Sequence, residues 1–85
     1  MTAKEALRKV SSKVTGMRAT SCYEYDSVFV FQMAPETASD PTRLLSGLTS
    51  VDKKTGIIRA FKPFDIPLDE YKRGRVIPIS ELGGV

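Results

Sequence analysis

The stretch from Leu44 to Phe61 constrains the fold of this chain more than any other. Two β-compatible runs, Leu44 to Val51 and Ile57 to Phe61, flank the polar segment Asp52-Lys53-Lys54-Thr55-Gly56. Two such runs joined by a short polar loop ending in glycine are a hairpin signal. The loop Lys53-Lys54-Thr55-Gly56 needs a positive φ at its last position, and glycine adopts one without steric cost. Asp52 is placed to accept hydrogen bonds from amides further round the turn. With this loop, Val51 faces Ile58 and Leu48 faces Phe61 across an antiparallel ladder.

The N-terminal segment reads as a helix over residues 1–17. Thr2 followed by Glu5 is a capping box. Ala3, Ala6, Leu7, Val10, Val14 and Met17 then recur at three- and four-residue intervals, forming one apolar stripe roughly 100° wide. Gly16 supplies a C-terminal stop. Lys4, Arg8, Lys9, Lys13 and Arg18 accompany only Glu5 here, and they hold much of the net charge of +3. They spread round the remaining arc instead of forming a row, the pattern of a solvent face more than of a ridge that tracks phosphates. Nucleic-acid binding through this helix and the Lys53-Lys54 turn stands as the alternative reading of the charge.

Thr20 to Met33 forms a second hairpin: Thr20–Tyr25, a turn at Asp26-Ser27, and Val28–Met33, which is rich in β-branched and aromatic residues. Phe29, Phe31 and Met33 share one face with Cys22, and this face is expected to pack under the helix. Tyr23, Tyr25, Val28 and Val30 share the other face. Either they form an apolar interaction surface, flanked by Lys53, Lys54 and Arg59, or the C-terminal residues Phe64, Ile66, Leu68 and Tyr71 fold back to cover them. Ala34 to Thr42 reads as a loop interrupted by prolines. Pro67 suits the first turn of a short helix, with Asp69 and Glu70 at its positive end and Lys72 and Arg73 at its negative end. Val76 to Ile79 reads as a last edge strand.

The expectation is one α+β domain over residues 1–85. An N-terminal amphipathic helix (1–17) packs on a meander sheet of three to four antiparallel strands (20–61). A C-terminal cover with a short helical turn follows (62–79), then a flexible tail (80–85). Its 41% hydrophobic and 27% charged residues are those of an ordinary globular chain.

The chain offers little to a chemical step. It has no histidine, and its single cysteine, Cys22, fits a small core residue in a reducing compartment. Asp26, Asp52, Asp69 and Glu70 sit where turns and helix ends explain them; Glu24, within a strand, is the carboxylate without an obvious structural place. No nucleotide fingerprint, zinc spacing or nucleophile elbow occurs. No catalytic residue, metal ligand or cofactor is expected, and neither is a membrane span. A cytoplasmic location follows as the default.

The amphipathic opening, Tyr23-Glu24-Tyr25-Asp26 leading into Val28-Phe29-Val30-Phe31, the run Val51-Asp52-Lys53-Lys54-Thr55-Gly56, then Phe61, Pro63 and Leu68-Asp69-Glu70-Tyr71 together resemble small uncharacterised proteins of Gram-positive bacteria and their phages. More distantly, the chain resembles small immunity proteins of bacterial toxin systems. The resemblance spans Ala3 to Tyr71 and implies an α+β fold with no catalytic residues, in a protein that binds another protein or serves as a phage or bacterial accessory. The partner expected is another protein or a second copy of the chain.

Overall fold

Asp52 shapes the turn that organises the sheet. Its Oδ1 accepts from the amides of Lys54 and Thr55, and the Gly56 amide donates to its carbonyl. Gly56 closes the turn at φ 72, the one positive φ of the described backbone. A computed structural model of the chain describes residues 1–14, 17–35, 48–62 and 65–82. In order, these form α1 (Ala3–Lys13), β1 (Met17–Glu24), β2 (Val28–Pro35), β3 (Leu48–Asp52), β4 (Ile58–Phe61), α2 (Leu68–Lys72), β5 (Arg75–Ile77) and a 3₁₀ turn (Ile79–Leu82).

The sheet runs β4-β3-β2-β1-β5, and every neighbouring pair is antiparallel. Four strands are a meander. The fifth brings the sheet to one strand more than expected, because Arg75–Ile77 returns alongside β1. Val51 faces Ile58 and Leu48 faces Phe61, the register that the turn length requires. Cys22 faces Phe31 and Tyr23 faces Val30. A bulge at Thr20 lets Ala19 still meet Met33, keeping both on the helix side.

The capping box at Thr2 and Glu5 forms, and α1 lays Ala6, Leu7 and Val10 over Cys22, Phe29, Phe31, Met33 and Val51. Several of these are sealed from water, and each fully buried large side chain contributes about 1.5–3 kcal/mol. The helix is shorter than residues 1–17. It ends at Lys13, and Met17 already pairs with Pro35 at the start of β1. Met17 still packs against the same core, so its place in the apolar series is kept while its backbone changes type. Gly16 lies outside the described residues.

Other boundaries shift as well. Ala34 and Pro35 belong to β2, not to a loop; the rest of the expected loop lies outside the described residues. Pro67 stands one position before α2 in an extended conformation, so it starts the helix from outside. The last strand stops at Ile77, since Pro78 cannot donate to a ladder, and Ile79 enters the 3₁₀ turn. Ser80–Leu82 is ordered structure instead of tail, and Leu82 is buried in the helix-side core.

Candidate interaction surface

The face of the sheet away from α1 carries a second apolar cluster of Tyr25, Val30, Phe61 and Ile66, with Tyr23, Val28 and Leu48 packed against it. Tyr23, Tyr25, Val28 and Val30 thus share a face as the alternation requires, yet they are not an open patch. Tyr25 and Val30 are buried, and Tyr23 and Val28 are half-buried. Ile66 and Tyr71 help to cover them: Phe61, Tyr25 and Tyr71 form a ladder of near-parallel rings, with centroids 6.0 and 5.6 Å apart. Phe64 lies outside the described residues, and Leu68 points away, 65% exposed. Burial, and then the neighbouring Tyr71 and Tyr23 hydroxyls, push the Tyr25 phenol above its ordinary pKa.

The C-terminal segment is laced to the β1–β2 turn by polar contacts in antiparallel order. Glu70 Oε2 accepts from both the amide and the hydroxyl of Ser27, at 2.8 and 2.6 Å. The Arg73 guanidinium donates twice to Asp26, and that of Arg75 twice to Glu24. Gly74 lies so close to Tyr25 that a Cβ there would overlap the ring. Glu70 is therefore more than a partner of the helix dipole. It is the buried residue of α2, and it fastens that helix to the turn.

Glu24 also has its structural place. It accepts from Lys53, whose ammonium crosses the Phe29 ring 4.7 Å from its centroid, and from Arg75 on the other side. The result is a belt across one end of the sheet, from the end of β3 over β2 and β1 to β5. These hydrogen bonds, Lys53 first and Arg75 second, hold the Glu24 carboxyl below the usual carboxylate range.

The remaining predicted residues separate. Lys53 belongs to that belt on the helix side of the sheet. Lys54 is exposed at the turn, and Arg59 is exposed on β4, across from Ser50. Burial, with the Glu24 carboxylate nearby, pushes the Cys22 thiol up to about 11, so it remains protonated at neutral pH and is a poor nucleophile. Among the described residues no group of three acidic, cysteine or histidine side chains is spaced to hold a metal. No described helix is long and apolar enough to cross a membrane.

What the covered face leaves open lies on its cover. On α2 Leu68 is 65% exposed and Tyr71, stacked on Tyr25 by one side of its ring, is still 43% exposed; Val76, 67% exposed, sits across from Tyr23 on β5. Val76 and the lacing arginines escaped the sequence reading. A signal for the lacing was present: Glu24 and Asp26, two residues apart, are matched by Arg73 and Arg75 at the same spacing and opposite charge.

Compared with protein-family models, with curated proteins and with solved structures, the chain matches none.

Proposed function

We propose that this protein is a non-enzymatic binding protein that captures another protein through the outer side of its C-terminal segment. It would work in the reducing cytoplasm as a bacterial or phage accessory of the kind the sequence resemblance implies. The observation that carries the reading is the exposure of Leu68, Tyr71 and Val76 together on one laced segment. Large apolar side chains beside an ordered aromatic ladder, with arginines alongside, have the composition of an interface centre. Tyr71 is held by its stack on Tyr25, so little side-chain entropy remains to be lost on binding.

The test compares the full chain with a Leu68→Ser/Val76→Ser variant as baits in lysate of the host. Retention of a protein by the first and its loss by the second, with both baits folded, supports the reading. Equal retention by both, or none by either, sinks it. Sedimentation at rising concentration identifies the case in which the captured protein is a second copy. For the nucleic-acid alternative, titration with DNA and RNA at low and moderate salt is decisive, because phosphate-driven binding must weaken steeply as salt rises.

A further inference from the structure

On the opposite side of the sheet, α1 and the β3–β4 turn form one surface. The Lys9 ammonium donates to the Gly56 carbonyl at 3.2 Å, bringing the helix and the turn together. Lys4, Arg8, Lys9, Lys13 and Lys54 are all exposed on these two elements. Among the described residues none of the five makes an ion pair. The carboxylates that share this surface are turned onto backbone amides: Glu5 onto Thr2, and Asp52 onto Lys54 and Thr55.

Stability accounts for only part of this arrangement: Lys13 stands in the last turn, where the helix dipole favours a cation, and Glu5 attracts Arg8. Lys4 and Arg8 stand one helical turn apart, as do Lys9 and Lys13, and like charges at that spacing repel. Lys4 also lies in the first turn, where the helix dipole disfavours a cation. Elsewhere Lys53, Arg73 and Arg75 are paired with Glu24 and Asp26. Arg18, Arg59, Lys62 and Lys72 are also exposed and make no ion pair among the described residues; α1 and the turn differ in how many such cations they hold together. A basic surface without ion pairs among the described residues is electrostatically complementary to an acidic one.

We infer that α1 and the β3–β4 turn form a second contact surface, for an acidic protein surface. Carboxylates are favoured over phosphates by two observations. The cations fan round the exposed arc of the helix without lining up along it. Neither described element offers an aromatic ring on which a base could stack, and the exposed Tyr71 lies on the far face. The inference extends the protein-binding reading and rests on it only in taking the partner to be a protein; the residues involved are different.

Fluorescently labelled poly-L-glutamate is the probe, titrated into the full chain at low and moderate salt alongside duplex DNA and single-stranded RNA. Poly-L-glutamate should bind at low salt, and Lys4→Glu/Arg8→Glu/Lys54→Glu should weaken it roughly tenfold or more. A control of equal charge change, Arg59→Glu/Lys62→Glu/Lys72→Glu, should leave it within about twofold, as should Leu68→Ser/Val76→Ser. Circular dichroism checks folding, and Arg8→Gln/Lys54→Gln replaces the triple variant if that does not fold. No binding of poly-L-glutamate overturns the inference. So do equal losses in both triple variants, which would mean net charge alone, and tighter binding of DNA or RNA at matched salt. Loss of the captured protein by Leu68→Ser/Val76→Ser with poly-L-glutamate binding intact keeps the two surfaces separate, so either can fail alone.

Discussion

The two faces of the sheet are held in different ways. Under α1, the core is apolar and closed: Leu7, Val10, Cys22, Phe31, Met33 and Val51 are at or within 1% of full burial. On the other face, a smaller apolar cluster of Tyr25, Val30, Phe61 and Ile66, with Tyr71 stacked on it, and a set of charged and hydroxyl contacts at the β1–β2 turn fasten the C-terminal segment. This leaves Leu68 and Val76 mostly in water and Tyr71 partly so. Burial of apolar surface is non-directional and strong, so the helix side should set whether the chain folds. Charge-assisted hydrogen bonds are directional and individually modest, so the other side should set where the segment lies. The difference separates the part that carries stability from the part free to carry function.

The largest expected effect tests the first half of that contrast. Phe31 is fully buried between α1 and the sheet, and truncation to alanine leaves a cavity that close packing cannot refill. Phe31→Ala should cost about 3–5 kcal/mol, read as a fall in the urea midpoint, a large share of what a domain this small can hold. A loss below about 1 kcal/mol would erase the distinction between the faces.

Next comes the fastening. Glu70→Ala removes the acceptor of two short hydrogen bonds from Ser27 and leaves that turn amide to water. The expected cost is about 1–3 kcal/mol. Gly74→Ala drives a methyl into the Tyr25 ring and should cost a similar amount, about 1–3 kcal/mol, by lifting the segment. Hydrogen exchange locates the effect: β5 amides should lose protection while those of β2 keep it. Equal loss in both strands would mean that the segment and the core unfold as one unit.

Glu24 should give a smaller effect, and one that depends on pH. Its folded pKa is lowered, so the belt it makes with Lys53 and Arg75 stabilises the fold above the ordinary carboxylate pKa, about 4.3. That stabilisation is lost as pH falls through the folded value. Glu24→Gln should cost about 1–2 kcal/mol at pH 7, since the pair with Lys53 is partly shielded from water. It should cost close to nothing in strong acid, where both chains carry a neutral side chain. Urea midpoints at neutral and acid pH for both chains give the answer; a cost independent of pH would assign Glu24 a packing role instead. Glu5 and Asp52, also lowered by backbone amides, supply an acid sensitivity that the variant keeps.

Sequence reasoning reached the helix side because local rules govern it. A glycine after Asp52-Lys53-Lys54-Thr55 dictates a turn, the turn dictates a register, and alternation then assigns Cys22, Phe29, Phe31 and Met33 to one face. The laced side depends on pairs 43 to 51 residues apart in the chain, for which no local rule exists. Glu70 illustrates the failure. Its place in the first turn of a helix already satisfied a local rule, and that concealed its contact with Ser27. Met17 failed for the opposite reason, because its spacing prolonged the helical series although its backbone had become a strand. The exposed trio is partly legible: the sequence places Leu68 and Tyr71 in a C-terminal cover, but which of them turns inward depends on the fastening.

The smallest expected effect on stability is at the exposed trio itself, where the comparison is sharpest. Leu68 and Val76 are 65% and 67% exposed, so replacing both by serine removes little buried surface. Leu68→Ser/Val76→Ser should therefore stay within about 0.5 kcal/mol of the parent chain in thermal or urea unfolding. Tyr71→Ala should cost more, about 0.5–1.5 kcal/mol, because its ring stacks on Tyr25 at 5.6 Å while its outer side remains in water. The ordering between these variants matters more than either value. If the serine pair proves as costly as the tyrosine truncation, Leu68 and Val76 hold the segment down and are not free for a partner. If the pair is neutral, Leu68 and Val76 are not needed to hold the segment down, which leaves them free for the partner surface proposed above.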